Sequence, residues 1–110
     1  EVAAFVDKIK NIQGLIESDI ILKNWCVVNA VSQQIQPPEL LPKYFRGSVY
    51  GHPVLKDGYL RTTSPTVEIL DYGDYKVTVT ITGSRYRIYP EDVAPEAEAA
   101  YPGYYNRLNM

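Results

Sequence analysis

The chain has 110 residues and a formal net charge of −2, so it holds one domain with a core of its own, and its scattered Lys and Arg lack the basic footprint of a general DNA or RNA binder. Its apolar runs fall short of the roughly 18–20 residues that a membrane-spanning helix needs, and a lone cysteine, Cys26, excludes an internal disulfide. These properties predict a soluble cytoplasmic protein with no membrane anchor, no nucleic-acid polymer as partner and no cofactor.

Residues 1–17 carry Val2, Phe5, Val6, Ile9, Ile12 and Ile16 at spacings of three and four, which lines one face of an α-helix. The next run, residues 20–31, is rich in Ile, Val and Trp and reads as one long or two short buried strands, with Cys26 as a buried hydrophobe. Residues 32–43 contain Pro37, Pro38 and Pro42, which remove donors and fix φ, so this stretch is a long connection.

Hairpins come next. Residues 44–51 form a strand, Asp57-Gly58 a turn, and residues 59–70 a second strand interrupted at Pro65. A three-residue loop at Tyr72-Gly73-Asp74 sets Ile69 against Val77 and Val67 against Val79. A two-residue loop at Gly83-Ser84 sets Ile81 against Tyr86 and Val79 against Ile88, which leaves Lys76, Thr78, Thr80, Thr82, Arg85 and Arg87 on the solvent face. Residues 91–100 suit a short acidic helix, ended by Pro102-Gly103 and followed by Tyr104 and Tyr105. The expected fold is α+β, mostly β. An N-terminal amphipathic helix (1–17) packs on a bent antiparallel sheet or small partly open barrel of about five strands (20–89), and a helical, Tyr-rich tail (90–110) completes a single domain.

Polar chemistry concentrates between Tyr50 and Pro65. His52, the only histidine, could act as a base, a metal ligand or a donor to phosphate, or simply brace a Gly-His-Pro bend. One His and one distant Cys make a poor zinc site, and no nucleophile motif surrounds Ser64, so the reading is a binding protein and not an enzyme. Arg61 offers a guanidinium fork with the hydroxyls of Thr62, Thr63 and Ser64 beside it, while Arg85 and Arg87 add cations from the last strand. Of 13 aromatic residues 10 are Tyr, which suits interfaces and the stacking of a base; Tyr50 and Tyr59 flank the candidate loop, and the tail's Tyr101, Tyr104 and Tyr105 point to a homo-oligomer built with the N-terminal helix.

The run Gly47-x-Val49-Tyr50-Gly51-His52-Pro53, then Asp57-Gly58, Thr63-Ser64-Pro65 and Thr82-Gly83-Ser84-Arg85-Tyr86, resembles a family of short bacterial and phage proteins. Some of that group are similar to the Thoeris anti-defence sponges, which capture cyclic ADP-ribose signals without cleaving them. The chain departs from the pattern at Leu55, where an aromatic usually precedes Asp-Gly, and at Pro65 after the Thr-Ser. The resemblance implies a non-enzymatic sponge for a small cyclic or phosphorylated nucleotide in a bacterial host cell. Arg61, Thr62, Thr63, Ser64 and His52 would hold phosphates or ribose, and Tyr50 or Tyr59 would stack on a base. The competing reading is a protein-interaction module that uses residues 36–42, the N-terminal helix and the Tyr tail.

Overall fold

A computed structural model describes residues 19–108. The helix expected over residues 1–17 lies outside the described residues. The strands correct the expected architecture: they form one six-stranded mixed sheet, not an antiparallel sheet of about five. Strands β1 (Ile20–Val28), β2 (Tyr44–Tyr50), β3 (Tyr59–Thr62), β4 (Thr66–Asp71), β5 (Lys76–Thr80) and β6 (Arg85–Ile88) lie in the order β3-β2-β1-β6-β5-β4. Neighbours pair antiparallel except β1 and β6, which run parallel through Ile20↔Tyr86 and Ile21↔Arg87. One short α-helix, α1 (Pro95–Ala100), and two 3-10 turns complete the described chain.

The expected second strand is in fact two, β3 and β4, at opposite edges of the sheet. Neighbouring strands lie about 4.8 Å apart, so the edges of a flat six-stranded sheet stand about 24 Å apart, whereas the four Cα steps from Thr62 to Thr66 reach at most about 14 Å. The sheet therefore curls until its edges approach. Residues 63–65 are stitched to both sides: Thr63 N donates to Phe45 O (2.8 Å), Thr66 N to Lys43 O (2.9 Å) and Ile81 N to Pro65 O (2.9 Å).

The inner face of the curl carries Leu22, Trp25, Val27, Phe45, Val49, Tyr86 and Ile88, all buried. On β5 the expected faces are reversed. The observed pairs are Thr78↔Tyr86 and Lys76↔Ile88, so Lys76, Thr78 and Thr80 point inward and are buried, while Val77 and Val79 pair with Arg87 and Arg85 on the outer face. The cause is loop length. Thr80 N donates to Ser84 O and Gly83 N to Thr80 O, which makes a three-residue loop with Gly83 at φ +89°, and Tyr72 N donates to Tyr75 O around a two-residue loop with Gly73 at φ +91°. Each change shifts the register by an odd number of residues and so exchanges the faces.

Past β6 the chain returns along β1: Ala94 N donates to Trp25 O (2.8 Å), and Ala97, Tyr104 and Leu108 are buried with Trp25. Tyr104 is spent on its own chain, where the sequence reading assigns the tail to a neighbouring subunit. Its hydroxyl accepts from Val27 N (3.0 Å) and donates to Gln36 O (2.5 Å). Two buried lysines clamp loops by donating to carbonyls, Lys43 to Pro38 O and Leu40 O, and Lys76 to Tyr105 O and Leu108 O. Among the described residues no helix is long and apolar enough to cross a membrane.

Gly47 on β2 lies close against β1; a Cβ there would meet Lys23 O at 2.7 Å and the Leu22 side chain at 2.9 Å. Gly47→Ala is expected to cost roughly 1–3 kcal/mol in urea unfolding with an unchanged m-value.

Burial raises the Tyr104 phenol well above the usual tyrosine range and pushes that of Tyr105 up to about 12. Unfolded tyrosine ionises near pH 10, so this stability is whole below about pH 10 and is lost as pH rises toward 12. Burial lowers the Lys43 pKa, a contribution of opposite sign. The urea midpoint is expected to fall from about pH 9 to about pH 11. In Tyr104→Phe, weaker at pH 7 through its lost hydroxyl, the fall should be shallower.

Candidate phosphate-binding site

The alternation of strands sorts the nine expected ligand residues into different environments. Tyr59 and Arg61 pair with Val49 and Gly47 and belong to the inner face. Tyr50, the partner of Ile21, and Thr62, the partner of Arg46, belong to the outer one, as do Arg85 and Arg87 on either side of the inward Tyr86. Tyr50 and Tyr59 therefore do not flank one ligand.

Most of the expected donors are committed within the protein. His52 braces its own loop, its Nδ1 accepting from Val54 N and Leu55 N, both at 3.0 Å. Thr62 Oγ1 donates to Gln33 Oε1 (2.7 Å). Thr63, buried, accepts from Phe45 N (3.1 Å) and donates to Ser64 O (2.8 Å). Arg85 grips the buried carboxylate of Asp19 through Nε (2.7 Å) and Nη2 (3.3 Å), and Arg87 Nη2 lies 3.8 Å from the same carboxylate. Arg87 also lies over the Tyr75 ring at 4.4 Å. Asp19 thereby holds the Arg85 guanidinium above its usual range. These contacts commit His52 Nδ1, the Thr62 and Thr63 hydroxyls and part of the Arg85 and Arg87 guanidinium groups within the protein.

Arg61 differs. Its Nε donates to the Tyr86 hydroxyl at 3.3 Å, and its two terminal nitrogens make no hydrogen bond to another described residue. The other four arginines are engaged: Arg46 with Gln33 O, Arg107 with Glu39, and Arg85 and Arg87 with Asp19. Arg61 is half-buried and Tyr59, two residues before it on the same face, is 55% exposed. The Ser64 hydroxyl likewise makes no bond to a described residue, while the buried Thr66 and Thr78 bond each other hydroxyl to hydroxyl at 2.5 Å. Three clefts elsewhere, beside Tyr44, Tyr105 and Asp92, include none of the nine residues.

The sequence reading missed two residues that organise these groups. Tyr86 it assigned only to the core, although a tyrosine on an inward face needs a partner for its hydroxyl. Asp19, just past the expected helix, is the other: Arg85 and Arg87 two residues apart share a face and call for an anion. Cys26 is buried, and burial raises its thiol pKa. Among the described residues no group of three His, Cys, Asp or Glu side chains is placed to hold a metal ion. No family model, curated protein or solved structure matches this chain.

With its Nδ1 bonds lost, His52→Ala is expected to raise amide exchange at Val54 and Leu55 by about five- to tenfold and to lower global stability by no more than about 1 kcal/mol. Unchanged exchange would mean that His52 does not brace the loop.

Proposed function

We propose that this protein is a non-enzymatic binder of a small phosphate-bearing ligand of the nucleotide class, held by Arg61 on the inner face of the sheet. The observation that carries the reading is the Arg61 fork: anchored at Nε on Tyr86, half-buried, and with both terminal nitrogens uncommitted among the described residues. A guanidinium so held presents two parallel donors spaced for two phosphate oxygens. Tyr59 supplies an exposed ring on the same face and Ser64 a hydroxyl. The role fits the sponge-like capture of a cyclic nucleotide signal that the sequence resemblance implies, with a smaller ligand set than that resemblance suggests.

One observation favours a second reading, protein docking through the Pro-rich connection, where Leu40 and Leu41 are 47% and 62% exposed beside the loop clamped by Lys43. The two readings separate in one experiment. Purified protein is incubated with cyclic ADP-ribose isomers, cyclic mononucleotides and cyclic dinucleotides, filtered, and heat-denatured to release what it holds. Intact nucleotide recovered only after denaturation, and reduced about tenfold or more in Arg61→Ala with an unchanged melting temperature, is the expected result. If nothing is retained, the binding reading fails; if product appears and His52→Ala abolishes it, the protein is a hydrolase.

A further inference from the structure

We infer that the Arg61 site selects a singly charged phosphodiester over a phosphomonoester or polyphosphate, an inference that rests on the phosphate-binding reading above. Its ground is the balance of charge at the site. Among the described residues, the group bonded to Arg61 is the neutral Tyr86 hydroxyl, and the residue that shares its strand face is the neutral Tyr59. One guanidinium carries one positive charge. Of the other described cations, Arg85 and Arg87 share Asp19 on the outer face, Arg107 pairs with Glu39, Arg46 bonds a backbone carbonyl, and the Lys43 and Lys76 ammonium groups bond carbonyls of the Pro-rich connection and the tail. Lys23 is paired with Asp92, and Lys56 is exposed on the loop at residues 51–58, where solvent and salt screen it.

A phosphodiester brings one negative charge spread over two non-bridging oxygens, and the two terminal nitrogens of Arg61 match both. A phosphomonoester near pH 7 brings a charge close to −2, since its second pKa is about 6. Its second charge would be brought from water to one half-buried guanidinium whose bonded neighbour is a neutral hydroxyl, on a protein whose own net charge is −2. A triphosphate raises that cost further. A neutral hydroxyl such as that of Tyr86 can hydrogen-bond an extra oxygen but cannot neutralise it.

The test is calorimetric titration of the whole protein at pH 7.5 with three adenine ligands: 3′,5′-cyclic AMP, the 5′-O-methyl ester of AMP, and AMP itself. Both diesters are expected to bind at least about fivefold more tightly than AMP, and Arg61→Ala is expected to weaken all three. The linear methyl ester separates charge from ring shape. If AMP binds as tightly as the diesters or more tightly, the inference is overturned while phosphate binding at Arg61 stands. If neither diester binds although the wider nucleotide panel yields a retained ligand, the inference is again overturned. If no phosphate ligand binds in either experiment, the reading on which it rests falls with it.

Discussion

The fold depends on the short link at residues 63–65. Because it joins the two edge strands, it forbids a flat sheet and fixes which residues look inward. Thr63 is the pin of that link: its amide and hydroxyl exchange bonds with the Phe45 carbonyl and amide, so its polar atoms are satisfied while it is 3% exposed. Pro65, lacking an amide donor, suits the crossing, because its carbonyl is used by Ile81 and nothing is asked of its nitrogen. The result is a wall on which β3 faces β6 across the interior, near enough for Arg61 to reach the Tyr86 hydroxyl. Without the curl those two side chains would project from strands three places apart in the sheet.

That interior has two ends of different character. Toward the C-terminal ends of β1 and β6 it is apolar and aromatic, with Trp25 meeting Phe45, Tyr104 and Tyr105 at centroid distances of 5.8–6.2 Å. The tail closes this end, and Lys76 secures it by donating to two tail carbonyls while lying over the Tyr105 ring at 4.5 Å. Toward Thr66, Thr78 and Arg61 it is lined by hydroxyls and a guanidinium. Burying so many polar groups is tolerable only because they bond one another, and Arg61 keeps its open fork by remaining half-exposed.

The strands themselves were legible, because composition and turn residues mark them: β1, β2 and β6 lie close to where Val, Ile and Tyr enrichment puts them, and the break at Pro65 was visible. The faces of β5 were not. Gly73 and Gly83 both announce turns, but a glycine with positive φ serves a two-residue loop as well as a three-residue one, and the wrong choice at each exchanges inside for outside. Hydrophobicity could not correct the choice, since Val77 is buried on the outer face and Thr78 on the inner one. Nor could sequence show that residues 59–70 part to opposite edges, or that β1 and β6 pair in parallel, because those depend on how the whole chain closes.

The same closure decides which cations are available for binding, a question composition cannot answer. Lys43 is fully buried, and its ammonium satisfies two carbonyls of the Pro-rich connection; Lys76 does the same for the tail. Both are structural fasteners, holding segments with no regular structure against the sheet where water is excluded. Arg85 and Arg87, the most conspicuous cations in the sequence, neutralise a carboxylate whose side chain is wholly buried. Arg61, on the inner face, bonds a neutral hydroxyl through Nε and leaves its two terminal nitrogens without a hydrogen bond to a described residue. That open fork, and not a difference in net charge, sets Arg61 apart from the Arg85–Arg87 pair, where two guanidinium groups share one carboxylate.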